Sequence, residues 1–550
     1  MRTNRSSRRL AAVASTAGLA LVLTACSGGS GSSENGSGNG GGGGDAGSVT
    51  VGTTEQITSI DPAGSYDNGS FAVMNQVYPF LLNSPYGTSD VEPDIAESAE
   101  FTAPTEYTVV LKEGLTFANG NDLTASDVKF SFDRQVEIAH PDGPSSLLYN
   151  LDSVEAVDDR TVVFNLLEEN DQIFPQILSS PAGVIVDEEV FSADDVTADS
   201  DIVDGNAFAG QYTITQYSIN DLIQYQANPD YAGVLEAPRT ETVNVRYYTD
   251  SSNLKLDVEQ GNIDVAFRTL SATDVEDLRG KDTVQVVDGP GGEIRYLVFN
   301  FDTMPFGATT DDADEDKALA VRQAVAHLID RDAISEDVYK GTFTPLYSYV
   351  PEGVTGATES LKEMYGDGAG APDAAAAADV LDAAGVETPV DLSIQYVAER
   401  YGPSSGDEYA VIQEALQADG LFEVDLQSTE WVTYASDFSA DAYPIFQLGW
   451  FPDYSDAENY LSPFFLTDNF LANHYSKPEV DEKLLAQATE TDPDARTALL
   501  EEIQDLVAAD LSTIPYMQGA QVAVTGLDVS GAEDTLDGSF KFRYGALSKG

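Results

Sequence analysis

Tyr443 to Phe465 reads YPIFQLGWFPDYSDAENYLSPFF. From Tyr443 to Trp450 the run is apolar and aromatic, the pattern of a strand buried on both faces and not of one wetted at alternate residues. It stops abruptly. Gly449 lets another backbone come close, Pro452 ends the hydrogen-bonded ladder, and Asp453 follows directly behind Trp450 and Phe451. An acid therefore sits among aromatic side chains at the end of a buried strand. Burying even a neutral polar group without a partner costs about 2–7 kcal/mol, and a bare carboxylate more, so the position favours a cationic partner. An amine meets that need. The plainer reading is a strand capped by a solvated Asp-Tyr turn, for which Asp is a common residue.

On either side the chain alternates helix and strand. Before the stretch, helical patterns over Lys317 to Ile334, Ala374 to Ala384 and Tyr409 to Ala418 interleave with strands over Val390 to Val397 and Val424 to Ser428. After it come amphipathic helices over Glu479 to Thr489 and Asp494 to Ala509, a strand over Thr513 to Val524, and a last predicted strand over Gly538 to Tyr544. Further upstream, YLVFN at Tyr296 to Asn300 reads as a short apolar strand where one domain passes to another. Strands are predicted at Val49 to Thr53 and Val243 to Tyr248, hairpins within Asp152 to Leu166 and Phe208 to Ala227, and a helix–strand unit over Asn253 to Phe267. Phe71 to Leu82 reads as a helix after an exposed loop at Gly64 to Asn68. The helix before Arg134 is capped by Thr124 or Ser126, with Asp127 in its first turn.

A chain of 550 residues exceeds the size of one core, so two or three domains are expected. The amino terminus is set apart. Arg2, Arg5, Arg8 and Arg9 precede an apolar run from Leu10 to Val22, and Leu23-Thr24-Ala25-Cys26 closes it, which resembles a bacterial lipobox. The run falls short of the about 20 apolar residues of a membrane helix. Cys26 is the only cysteine, which excludes disulfides and thiolate metal clusters within the chain and marks it as the lipidation site. Residues 1–25 are then a signal peptide, and residues 26–48 a lipidated cysteine and Gly/Ser-rich tether with a reach of about 25 Å. Lys and Arg number 27 against 93 Asp and Glu, a formal charge of −66, so nucleic acid is excluded as a ligand and the acid reads as a solvated shell. The acidic run Asp311 to Asp316 lacks the glycine and spaced ligands of a calcium loop.

Asp61-Pro62, YTVVLKEGLTFANGNDLTASDVKFSFDR, ANPDYAG, EQGNIDVA, VRQAVAHLIDRDAI, GWFPDYSDAENY and IPYMQ together resemble the family 5 solute-binding proteins of ABC importers, the dipeptide, oligopeptide and nickel receptors. The resemblance covers residues 49–550. It implies an α/β fold of the periplasmic-binding-protein type (type II, large cluster C form), with two lobes that close on a ligand and an extra inserted subdomain. Lobe one would comprise residues 49–85, 205–298 and 511–550, the inserted subdomain 86–204, and lobe two 302–510. In this family the acid of the GWxxDY motif pairs with the ligand amine, which here assigns Asp453. The backbone at Gly449 and Phe451 would pair with an extended peptide, the Gly64 to Asn68 loop with Tyr66 and Asn68 would face it, and Trp450 and Tyr454 would complete the site. The resemblance further implies a monomeric receptor without catalysis or cofactor, whose partners are a peptide and the membrane permease of an ABC importer, held at the outer face of the membrane by the lipid on Cys26. The sequence places no partner for a peptide carboxylate; Arg295 and Arg400 are the candidates. Gly210-Gln211-Tyr212, Asn119-Gly120-Asn121 and Ala457 depart from the family's usual residues.

Three rival readings attach to particular residues. Gly402-Pro403-Ser404-Ser405-Gly406 matches a nucleophile elbow, with Asp453 and His474 following in hydrolase order. Pro403 is awkward in so tight a turn and no oxyanion segment accompanies it, so Ser404 or Ser405 reads instead as a helix cap, and His474 as packing beside Tyr475. Nickel favours imidazole, but His140, His327 and His474 have no ligand spacing, and His327 reads as a core residue. Tyr66, Trp431, Trp450, Phe451 and Tyr454 could stack on sugar rings, with core packing the plainer role for Trp431.

Overall fold

Two long antiparallel strands, Val284–Phe299 and Thr513–Gly526, tie the molecule together. In the computed structural model, which describes residues 47–397, 400–402, 404–539 and 541–550, they are neighbours in one eleven-stranded sheet. On one side the sheet continues through Val265–Phe267, Ser48–Thr53, Thr242–Tyr247, Leu222–Ala227 and Tyr212–Ser218. On the other it continues through Ile445–Trp450, Val390–Tyr396 and Phe422–Ser428, and the eleventh strand, Phe343–Pro345, pairs with Thr513–Gly526 off this path. The pairing of the two long strands shifts register between Pro290 and Ile294, at the segment DGPGGE. Glycine is required there: a Cβ on Gly291 would lie 2.2 Å from the Gly519 carbonyl oxygen.

Each half of the sheet has its own core, and together they make the two lobes of a periplasmic-binding-protein fold. Val49, Val51, Ile223, Tyr225, Val243, Val245 and Phe542 pack in one. Leu297, Val325, Ile394, Ile412, Phe446, Ile503 and Ile514 pack in the other. A third core lies under a separate four-stranded sheet, Ala96–Ala103, Glu106–Leu111, Thr161–Leu166 and Leu151–Ala156, covered by the helix Ala125–Ile138. That helix starts at Thr124, whose side chain and Asp127 form a reciprocal capping box. Arg134 on the same helix reaches the first lobe, where it pairs with Asp61; both are buried. Among the described residues no helix is long and apolar enough to cross a membrane. The leader, Cys26 and the tether up to residue 46 lie outside the described residues.

Several predicted elements change. The helix expected at Phe71 to Leu82 is Asn68–Val77: Asp67 caps it by accepting from Ser70 N at 2.8 Å, and Tyr78, forced to extended geometry by Pro79, ends it. Asn68 is thus the first turn of a helix and not part of a loop. Tyr296 to Phe299 of YLVFN close a 16-residue strand, which runs upstream through the register shift between Pro290 and Ile294. The helix expected to reach Ile334 closes at Leu328, and Asp330 caps a new turn at Arg331–Ala333. The described residues of the Gly538 to Tyr544 stretch, 538–539 and 541–544, lie in no strand. The alternation of the stretch is genuine, with Phe542 and Tyr544 in the first core, but its backbone bonds to the Gln76 side chain and not to a sheet edge. Helices without a counterpart in the sequence reading include Ala272–Arg279, Trp431–Phe438 and Glu458–Phe465, the last with Pro463 inside it.

Candidate functional site

Where Ile445–Trp450 ends, the chain turns through Pro452 and Asp453 before entering the helix Glu458–Phe465. Asn459 on that helix fixes the turn. Its Oδ1 accepts from the Asp453 amide at 2.9 Å and from Trp450 Nε1 at 2.8 Å, while its Nδ2 donates to Asp453 Oδ2 at 3.1 Å. The other oxygen, Oδ1, accepts from the Tyr66 hydroxyl. Tyr66 comes from the loop before Asn68–Val77, so the contact joins two segments 387 residues apart. Desolvation by burial pushes the Asp453 carboxyl above the usual aspartate range, against the two hydrogen bonds that lower it. Among the described residues no basic side chain lies in ion-pair contact with it.

Asp453 lines a cavity of about 450 Å³, inside the range of about 300–1,000 Å³ typical of small-ligand sites. Tyr66, Asn68, Phe451 and Tyr454 line it too, so five of the seven residues singled out as ligand contacts stand around one space. Gly449 and Trp450 stand behind it. A Cβ on Gly449 would lie 2.8 Å from Arg295 Nη1 and 3.0 Å from Tyr401 Cε1, so the close approach that glycine permits is to Arg295 and Tyr401. Trp450 packs edge-on against Phe464 and Phe470. Tyr454 donates to Glu458 and packs against the third core, which brings the loop of one lobe onto the four-stranded subdomain.

The two basic candidates separate cleanly. Arg400 lines the cavity, its guanidinium 4.3 Å from the Trp431 ring centre. Arg295 is buried away from the lining, beside Glu293 and over the Tyr401 ring at 4.6 Å. Asn459, which orients Asp453 from behind the lining, and Lys541, which lines the cavity, escape the sequence reading. Asn459 carries a signal, an Asn within the first turn after DYSDAE, which polar patterning alone treats as solvent-facing. Lys541 carries none, because its alternation with Phe542 reads as an ordinary strand.

The remaining polar candidates have structural partners. Ser405 is fully buried, and His474 bonds Asp441 Oδ1 at 2.6 Å, so no nucleophile–base pair forms. Contrary to the sequence reading, His474 does not pack on Tyr475 but stands half-exposed over Asp441, a position its positive φ of 63° supports. Ser404 occupies the cap position of Ser405–Gln417 without a side-chain hydrogen bond, so neither serine caps as expected; Pro403 lies outside the described residues. His327 accepts from Gly366 N at 2.9 Å and meets Tyr365 edge-on. Trp431 stacks on Tyr434 at the edge of the second core. Among the described residues no group of three or more metal-ligating side chains is assembled.

The sequence matches the model of the bacterial extracellular solute-binding proteins, family 5 (middle), over residues 90–471. It is 24% identical over 482 residues to the probable D,D-dipeptide-binding periplasmic protein DdpA of Escherichia coli, covering 86% of this chain and 88% of that one. The fold superposes on the ABC transporter substrate-binding protein CtaP of Listeria monocytogenes with a TM-score of 0.75 and 22% identity, over 92% of this chain and 99% of that one. It also superposes on a dipeptide-binding protein from Pseudoalteromonas sp. SM9913 in complex with Met-Leu, with a TM-score of 0.66 and 20% identity over 92% and 100% of the two chains. With the matched segment spanning most of the two-lobed fold, the chain belongs to the bacterial extracellular solute-binding proteins of family 5, which are binding proteins of ABC transporters and not enzymes.

Proposed function

We propose that this chain is a membrane-tethered receptor that captures short peptides between its lobes and delivers them to the permease of an ABC importer. The observation that carries the reading is the Asp453 carboxylate: half-buried, oriented by Asn459, opening onto a cavity, and without a cationic partner of its own among the described residues. A peptide α-amine supplies that charge and can donate where Tyr66 now does. The relative named for D,D-dipeptides and the neighbouring fold that holds Met-Leu support the ligand class. Arg400, in the same lining, is the partner for the peptide carboxylate. Gly64 to Asn68 and Phe451 frame the peptide backbone. The lobes meet around ligand, so a permease distinguishes a loaded receptor from an empty one by its closed shape. The lipobox-like segment ending at Cys26 and the tether behind it keep the receptor beside that permease.

The test is a thermal-shift scan of the mature chain against pooled di- to hexapeptides, nickel chelates and cello- or xylo-oligosaccharides. A ligand at about 100 times its dissociation constant adds about 2.7 kcal/mol of native stability. Peptides raise the midpoint and N-acetylated peptides do not; a shift with sugars or chelates alone overturns the peptide reading.

Two further results are expected. Arg400→Ala weakens a peptide with a free carboxyl terminus by roughly tenfold to a hundredfold, the worth of one hydrogen bond to a charged group, and leaves its amide unchanged. Equal losses for acid and amide in a titration would remove Arg400 from that role.

The second concerns pH. Amine binding needs the ionised Asp453, whose carboxyl is held above the ordinary value of about 3.9. Affinity is therefore full above that raised value and falls as pH drops through it, up to tenfold per unit. The empty protein behaves oppositely. A carboxyl raised on folding contributes stability below its unfolded value, lost as pH rises through the folded one. Calorimetric titrations across pH 4 to 7 check the acid limb, which Asp453→Asn flattens.

A further inference from the structure

The cavity holds a second charged group that the amine reading leaves unused. Lys541 is 7% exposed, lines the cavity, and donates to the Ser179 hydroxyl and, at 3.5 Å, to Asn83 Oδ1. Among the described residues no carboxylate comes within ion-pair distance of it. The two nearest acids are committed elsewhere. Asp537 accepts from the Ser539 amide at 2.8 Å and from its hydroxyl, and Asp94 accepts from Val234 N at 2.6 Å and from Phe80 N at 3.3 Å. Arg543, two residues on, is also buried without a carboxylate partner and spends its donors on Asn75 and Asn83. Burial and the neighbouring Arg543 charge both press the Lys541 ammonium towards its neutral form.

In a chain with 93 acidic side chains against 27 basic ones, two adjacent buried cations without a carboxylate are not a consequence of composition. Other buried arginines of this kind are closed off by the protein: Arg331 donates to the Leu346 and Pro515 carbonyls, and Arg322 to the Asp510 carbonyl under the Phe301 ring. Lys541 instead opens onto the ligand space beside hydroxyls. Ser179 accepts from it and keeps its own proton to donate, so the pair presents two donors to an anion.

We propose that Lys541 and Ser179 form a subsite for the carboxylate of an acidic side chain on the bound peptide, so that the receptor prefers peptides carrying Asp or Glu. This rests on the peptide reading of the same cavity. A peptide has one terminal carboxylate, which Arg400 takes; the second cation in the lining then asks for a second anionic group. An acidic side chain provides it.

The experiment is isothermal titration of the full chain with Ala-Ala-Ala peptides in which Glu, then Gln, replaces each position in turn, repeated with the carboxy-terminal amides. At one position, wild type binds the Glu peptide at least tenfold more tightly than its Gln twin. Lys541→Met brings the two within about twofold while still binding the Gln peptide, and Ser179→Ala gives a partial loss of the preference. Lys541→Met replaces an unpaired buried cation with an apolar side chain of similar length, so the empty variant melts no lower than wild type. Equal binding of Glu and Gln peptides at every position overturns the subsite and leaves the amine site standing. If Lys541→Met instead removes the penalty of terminal amidation, the cation serves the peptide end and the side-chain assignment is overturned. Failure of every peptide to bind overturns the peptide reading and this subsite with it.

Discussion

Replacing Asp453 with asparagine lowers affinity for a peptide with a free amino terminus by roughly 30-fold to several thousand-fold, which corresponds to about 2–5 kcal/mol for truncating one partner of a buried, hydrogen-bonded charge pair. The substitution is nearly isosteric. An asparagine amide at this position still accepts from Tyr66 or Asn459, so the turn after Trp450 keeps its shape. It also removes a carboxyl that burial disfavours, so the empty protein does not melt lower at neutral pH. The loss is therefore in binding and not in folding. N-acetylation provides the second leg of a double-mutant cycle: it weakens binding to wild type by a comparable factor and adds little in the Asp453→Asn protein, because the interaction it removes is already gone. Additive losses would mean that amine and carboxylate do not meet, and the ligand assignment would fail while the fold and family stood.

Asn459 converts that prediction into a statement about geometry. It holds both Trp450 and Asp453, so the acid is oriented before any ligand arrives, and a preorganised group loses less freedom on binding. The Tyr66 hydroxyl completes the pair of side-chain donors on the carboxylate. An arriving amine competes with or joins Tyr66, which couples amine binding to the contact that spans the cleft.

The chain makes these elements visible to different degrees. The strand Ile445–Trp450 and the acid behind it are plain in the sequence, because an apolar run ended by Pro452 admits few other readings. The helices Pro478–Thr489 and Pro493–Asp510 are equally plain, each opened by proline and patterned on one face. What the sequence hides are the places where tertiary contacts override local pattern. DGPGGE has the composition of a loop and lies inside a strand, since Asp288 to Pro290 pair with Ala520 to Val522 and the ladder resumes at Ile294 after a register shift. Lys541 to Tyr544 has the alternation of a strand and lies in none, its backbone bonding the Gln76 side chain instead. The same misreading concealed Lys541 as a lining residue: a cation on the outer face of a strand is solvated, whereas a cation in an irregular segment between two cores can face a cavity. Gly449 is legible as a position of close approach, and the side chains packed there, Arg295 and Tyr401, come from segments that local spacing does not relate to it.

Asp61→Ala destabilises the protein more than any surface substitution, by about 3–5 kcal/mol, the cost of leaving one member of a buried ion pair uncompensated. The carboxylate accepts four hydrogen bonds: from Arg134 Nη1 at 2.8 Å and Nη2 at 2.9 Å, from Ala63 N at 2.9 Å, and from Thr197 N at 2.7 Å. Together they bind the turn Ser59 to Gly64 to the helix Ala125–Ile138 and to the segment after Phe191, so this side chain is a buried fastening between the first lobe and the four-stranded subdomain, beside peripheral contacts such as Lys112 to the Ala232 carbonyl. Removing it leaves the Arg134 guanidinium buried against the Phe191 ring, its donors to the Ser192 and Asp195 carbonyls its remaining hydrogen bonds. Denaturant unfolding, followed by the fluorescence of a label in the subdomain, is expected to show the loss as an earlier transition there. Arg134→Met in the same chain recovers part of it, because two apolar or small residues no longer bury a charge. The function follows the same route. Ser65 donates to the Ser59 and Asp61 carbonyls and holds the loop that carries Tyr66, so loosening Asp61 also weakens peptide binding, by a factor that the Asp61→Ala, Arg134→Met double variant does not fully restore. A cost below about 1 kcal/mol, or a double variant worse than the sum of the singles, would show that the pair does not fasten the two units.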